Sequence, residues 1–259
     1  MNKLNIIAPL ILFFTLILMW EIVLYLNETP HYIIPRPSLI MTTLFYEWNS
    51  LFPALITTLT VTLLALIFAL FFGVLLAIII SQFKIFEISF MPITIILQVT
   101  PIIAIAPLII ILIDNTFIAT LVCAWLVAFF PILSNTLIGL KSVNHSLEDL
   151  FYLYKANRVQ RLFFLQIPSA LPYFFSGLKI SSGLSLIGAI VAEFVTGIGG
   201  SSSGLAYIII ESSYRLEISK MFSALLLIAV SGVLIFSLIN LLSKYALKNW
   251  HESEKLKEI

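Results

Sequence analysis

Residues Leu51 to Ser81 read LFPALITTLTVTLLALIFALFFGVLLAIIIS, thirty-one positions without one charged side chain. At about 1.5 Å per residue, a helix needs about 20 apolar residues to cross about 30 Å of hydrocarbon. This stretch is therefore long enough to span a bilayer and to tilt within it. It shows neither the alternation of a membrane strand nor the polar lumen positions of an outer-membrane barrel.

Five further runs of this kind flank it: Ile6 to Leu26, Ile88 to Ile113, Phe117 to Leu140, Leu178 to Gly197 and Met221 to Leu247. The chain is 61% hydrophobic and 10% charged, against about 45–50% and about 25% in soluble domains. The expected fold is all-α: a polytopic membrane protein with six transmembrane helices and one membrane domain over residues 1–259. The runs and their short connections leave no room for a separate ATPase, receptor or DNA-binding domain. The first run follows Lys3 as a signal peptide would, but it exceeds the usual h-region of about 7–15 residues and lacks a small-x-small site before Asn27, so it is expected to stay as an anchor. No inverted repeat of the kind found in secondary carriers stands out.

The basic residues give an orientation. Lys3, Lys84, Lys141, Lys155, Arg158, Arg161, Lys179, Lys244, Lys248, Lys255 and Lys257 fall on one side, and Arg36, Arg215 and Lys220 on the other. Eleven against three puts both termini in the cytoplasm of a cell's inner (plasma) membrane. The net charge of +1 points to no nucleic-acid partner. On the outer side, Pro30, Pro35 and Pro37 interrupt helix between Asn27 and Ser50, before a short segment suited to the membrane surface.

The connection from Lys141 to Gly177 is the longest and most polar, and from Ser146 it reads SLEDLFYLYKANRVQRLFFLQIPSALPYFFSGLK. Ser146 and Asp149 fit a helix start, and Leu147, Leu150, Phe151 and Tyr154 recur at helical spacing. Val159, Leu162, Phe163 and Gln166 share a face of a second short helix beside Arg158 and Arg161, which Pro168 and Pro172 are expected to end. Two readings are open for such a pair: a docking ridge for a motor protein, or an amphipathic segment lying on the bilayer.

This segment resembles the EAA loop of binding-protein-dependent ABC permeases: Glu-Ala-Ala, three residues, Gly, nine residues, Ile-x-Leu-Pro. Asp149, Leu150 and Phe151 stand at the Glu-Ala-Ala positions, Lys155 at the glycine, and Leu165, Gln166, Ile167 and Pro168 at the closing motif. A Lys takes a left-handed turn only at some cost, so Lys155 is expected to reshape the turn or weaken the coupling. IIPRPSLI from Ile33, VTPIIAIAPLIIIL from Val99, AFFPILSNTLIGLKSV from Ala128 and SGLKISSGLSLIGAIVAEF from Ser176 resemble, in order, the nitrate, sulfonate and taurine branch and related permeases for vitamin precursors. The resemblance implies a permease with no catalytic residues or cofactor, working with cytoplasmic ATP-binding subunits, an extracytoplasmic solute-binding protein and a second permease copy. It assigns Glu148, Asp149, Lys155, Ala156, Arg158, Leu165 and Pro168 to the ATPase-coupling loop, within about residues 141–177. The solute it implies is small and polar or anionic. The alternative is a carrier driven by an ion gradient, which would need its own ion site.

Several residues inside the runs require a reason. A carboxylate at mid-bilayer costs about 2.5–3.5 kcal/mol on insertion scales, so Glu193 must face protein or water, as a pathway group or bonded to a neighbouring helix near its outer end. Glu21, beside Trp20, suits the interface. Gln98, Thr100, Pro101 and Pro107 interrupt the third run; such breaks line cavities or merely kink a helix. Gln98, Thr100, Pro101 and Glu193 are thus the pathway candidates. Ser181, Ser182, Gly183, Ser185, Gly188 and Ala189 allow close helix approach, within one subunit or between two. GIGGSSSG at Gly197 to Gly204 lacks the Lys of a phosphate-binding loop and reads as an outer loop. His31, His145 and His251 lie outside the runs, so nucleophilic catalysis lacks a base, and no residue set has metal-ligand spacing. Cys123 has no cysteine partner and reads as a packing residue.

Overall fold

The computed structural model describes residues 4–196 and 203–248, and these form helices and connections without a strand. In chain order the helices are α1 (Leu4–Leu26), α2 (Pro37–Tyr46), α3 (Trp48–Gln82), α4 (Lys84–Val99), α5 (Ile102–Leu112), α6 (Thr116–Lys141), α7 (His145–Leu153), α8 (Arg158–Arg161), a π-helical turn (Leu162–Gln166), α9 (Ile167–Thr196), α10 (Leu205–Tyr214) and α11 (Ile218–Leu247). Five stretches are long and apolar enough to cross a membrane: Ile7–Leu26, Trp48–Gln82, Thr116–Lys141, Arg158–Thr196 and Ile218–Leu247.

One expectation is made definite and two are corrected. The third run is not one helix: α4 ends at Val99 and α5 starts at Ile102, with extended backbone at Thr100 (ψ 123) and Pro101 (ψ 122). Proline has no N–H to continue the ladder, and its ring pushes the preceding residue out of helical space. Pro168 and Pro172, by contrast, do not end a helix. Helical backbone runs from Arg158 to Thr196, because the π turn before Pro168 changes the local hydrogen-bond register. Lastly, α7 is capped by Asn144, whose side chain accepts from the Ser146 N–H at 2.9 Å, and not by Ser146. The loop expected at Gly197 to Gly204 lies, as far as residue 202, outside the described residues.

The chain divides into two compact units. The first takes residues up to Thr57 and from Gly197 to Val230. Its core joins Leu51 and Ala54 to Leu205, Ile208, Ile209 and Ala224, so the short α10 is buried along one face. Glu21 accepts from the Ser38 N–H (2.9 Å) and hydroxyl (2.7 Å), and Ser223 donates to the Ile40 carbonyl at 3.0 Å. Glu47, just after α2, pairs with Lys220 at 2.8 Å. The bond to Lys220 holds its carboxyl below the usual carboxylate range; partial burial opposes this, and a bond from Ser50 adds to it. Between Ile7 and Leu18, α1 exposes nearly every side chain, the condition of an apolar helix that lipid covers.

The second unit, Thr58 to Thr196 with Ser231 onward, is built on α6 against α9. Glycine lets these helices touch: a Cβ on Gly139 would lie 2.8 Å from the Ala170 Cα, on Gly177 2.7 Å from the Pro131 carbonyl oxygen, and on Gly188 2.9 Å from the Ala124 Cα. Ser181 donates to the Ala128 carbonyl at 2.6 Å, linking α9 to α6. The stripe of small residues is therefore largely spent within the subunit. Gly183 is the exception, with nothing within 4 Å of a built Cβ. Asn115 starts α6 by accepting from the Ile118 N–H.

Candidate functional site

The α7–α8 segment is a helical hairpin turned by Lys155. Lys155 has φ 53, in the left-handed region. Its N–H donates to the Tyr152 carbonyl at 2.9 Å and the Ala156 N–H to the Phe151 carbonyl at 3.0 Å. These two bonds form a Schellman cap with Lys155 at the position where glycine is usual. The turn is thus kept, not reshaped, at a cost of about 1–2 kcal/mol for a side chain in left-handed backbone. Asn157 and Gln160 then start α8 with a reciprocal capping box, both bonds 2.8 Å.

Arg161 Nη2 meets Glu148 Oε1 at 2.7 Å and ties α8 to α7. A cleft of about 380 Å³ opens beside the turn, lined by Leu150, Phe151, Tyr154, Ala156, Gln160 and Phe164. Tyr152, Leu153, Tyr154 and Phe164 are exposed, as are Asp149, Lys155 and Arg158. Leu165 is buried, and Pro168 lies in the first turn of α9. Gln82 Nε2 donates to Gln166 Oε1 at 2.7 Å, and Lys141 pairs with Glu87.

A second cleft, about 370 Å³, lies at the break between α4 and α5. Gln98, Val99, Thr100, Pro101, Ile102 and Ile105 face Leu126, Val127, Phe130 and Pro131 of α6 and Leu184 of α9. Gln98, Thr100 and Pro101 are brought together here. Glu193 is not among them. It is 6% exposed, and its carboxylate accepts from Thr58 Oγ1 at 2.8 and 3.1 Å. Thr58, which the sequence reading passed over, also gives its carbonyl to Thr62 at 2.7 Å. The available signal was four threonines, Thr57, Thr58, Thr60 and Thr62, in an otherwise apolar run. Among the described residues no three His, Cys, Asp or Glu side chains gather as a metal site.

The chain thus presents a helical hairpin and carries a broken apolar helix beside its main packed pair. Residues 69–248 match the family described as "Binding-protein-dependent transport system inner membrane component", and the chain belongs to that family. It is the multi-pass inner-membrane permease of a binding-protein-dependent ABC importer, and ATP hydrolysis belongs to a partner. Such a system implies an ATPase and a solute-binding protein, which decides against the ion-driven carrier. The chain is 32% identical to a "Probable ABC transporter permease protein" of Haemophilus influenzae over 94% of this chain and 98% of that one. It is 29% identical to the formylaminopyrimidine transport permease protein ThiX of Halalkalibacterium halodurans (96% and 97%). It is 28% identical to the putative aliphatic sulfonates transport permease protein SsuC of Bacillus subtilis (92% and 85%).

Proposed function

We propose that residues 1–259 form one permease domain with six crossings, α4 and α5 making the third as a broken span, and both termini in the cytoplasm. The eleven-to-three distribution of Lys and Arg supports this orientation. The α7–α8 hairpin, within about residues 141–177, is the seat of the ATPase. ATP binding moves it and shifts the permease between inward-open and outward-open states. Two permease copies enclose the pathway, of which Gln98, Thr100 and Pro101 form part, with Glu193 bracing α9 against α3. The solute is small and polar or anionic, in the range that the names of the pyrimidine and sulfonate permeases span.

The observation carrying the coupling role is the Lys155 turn. A costly left-handed lysine keeps the hairpin's shape at the position where the EAA loop has glycine, and leaves apolar side chains exposed around a cleft. Asp149 and Arg158 are exposed, so Asp149→Arg with Arg158→Glu alters the surface without opening the fold. Co-purification from native membranes with an ATPase is expected for the intact chain and lost for this variant. An ATPase retained in full by the folded variant refutes the docking role.

A further inference from the structure

The α7–α8 hairpin hangs between two polar ties. Lys141, the last residue of α6, pairs with Glu87 in the first turn of α4. At the other end Gln166 closes the π turn, and its Oε1 accepts from Gln82 Nε2 at 2.7 Å. Gln82 is the last residue of α3, and the same Nε2 donates to Ser81 Oγ at 3.2 Å, so the carboxamide is held in one orientation. Phe83, in extended backbone, separates α3 from α4. One corner of the chain, from Gln82 to Glu87, therefore grips the hairpin segment at its entrance and at its exit.

The packing differs on the two sides of the π turn. Leu165 is buried, and Leu162 and Ile167 rest on the core that holds Ile80, Leu137 and Leu140. Before it, neither α7 nor α8 has a buried side chain. A π turn holds more residues than an α turn and interrupts the regular ladder, here with the Ile167 N–H bonded to the Leu162 carbonyl. Hairpin and α9 are thus not one uniform rod, and α9 is pressed against α6 at Gly139, Gly177 and Gly188. Within the subunit α4 is the opposite case. Most of its described side chains are exposed, Phe90 rests on the core, and Glu87 holds Lys141. It leads from the corner to the break at Thr100 and Pro101. A push on the hairpin meets a tightly packed α9 and a lightly held α4.

Building on the coupling reading above, we propose that Gln82, Gln166, Glu87 and Lys141 are positioning residues of transport: through them the movement of the hairpin reaches α4 and the broken third span, while α6 and α9 stay packed. The two ties divide the task by chemistry. Carboxamides bond only at short distance and in a set orientation, which fixes the π turn. A Lys–Glu pair attracts over a range of geometries and keeps its grip while the corner shifts.

The test uses the full chain purified with its ATPase and carrying Gln98→Cys beside the break. The rate at which a membrane-impermeant maleimide labels this cysteine is compared without nucleotide and with ATP in excess EDTA, which permits binding without hydrolysis. Cys123 is buried, and the chain without Gln98→Cys gives the background. ATP is expected to change the rate roughly fivefold or more. Gln82→Leu with Glu87→Gln, both outside the hairpin, should reduce that change to less than about twofold with the ATPase still bound. Exchange of the ion pair, Glu87→Lys with Lys141→Glu, should preserve it. A full response with both ties opened, no response with both intact, or loss of response in the exchanged pair overturns the proposal. So does release of the ATPase on opening the ties, which would make them supports of the docking surface. Failure of the intact chain to hold an ATPase strikes at the coupling reading instead.

Discussion

Two glycines on α9 five residues apart should respond oppositely to the same added methyl group. A Cβ on Gly188 would lie 2.9 Å from the Ala124 Cα and 3.3 Å from the Val127 Cβ, where carbon atoms prefer about 3.5–4.0 Å. Helix α6 must back away by roughly 0.6 Å or more, and the same seam is already closed at Gly139 and Gly177. Overpacking of this kind costs about 1–3 kcal/mol. Gly183 has nothing within 4 Å, so Gly183→Ala brings only the gain in helix propensity, about 1 kcal/mol. Gly188→Ala gains the same propensity, so the difference between the variants isolates the packing cost. At about 2–4 °C per kcal/mol for a chain of this size, thermal unfolding in detergent should place Gly188→Ala roughly 2–12 °C below Gly183→Ala. Equal midpoints, or a lower one for Gly183→Ala, refute the close α6–α9 approach.

Lys155→Gly should remove about 1–2 kcal/mol of left-handed strain and return about 0.5–1 kcal/mol as added chain entropy. Slower hydrogen exchange at the Lys155 and Ala156 amides is the expected sign, and an equal slowing in Lys155→Ala contradicts it. Thr58→Val takes a hydroxyl donor from the buried Glu193 carboxylate and should cost about 1–3 kcal/mol in unfolding measurements; a double-mutant cycle with Glu193→Gln should show coupling, and strict additivity argues against the bond's importance. The lowered Glu47 pKa gives stability that is fully present above the ordinary carboxylate range and is lost as pH falls through the folded value. Lys220→Gln should flatten that acid-side decline in an unfolding-versus-pH series, and an unchanged slope would assign it elsewhere.

Much of the candidate site was legible because it depends on local chemistry. The break at Pro101 follows from a missing N–H, while the sequence left open whether it lines a cavity or only kinks the helix. The resemblance of the stretch from Asp149 to Pro168 to the EAA loop points to a hairpin there. Its left-handed residue could be assigned to Lys155 by position, although not that the turn would survive a side chain there. Glu193 invited two readings since its partner Thr58 stands 135 residues earlier, beyond the reach of any periodicity. The cap of α7 was misread because Asn144 and Ser146 are both competent caps, and only backbone geometry chooses between them.

What the sequence by itself determined is residence in the membrane and the approximate spans. Each is a sum of single-residue transfer energies or a short-range spacing. Only the tertiary structure decided which glycines are pressed against a neighbour, that α10 is buried, that the helix runs unbroken past Pro168 and Pro172, and that Gln98 faces a cleft free of charge. Those facts depend on which surfaces meet across long separations in the chain, and apolar runs of nearly uniform hydrophobicity do not encode their own rotation.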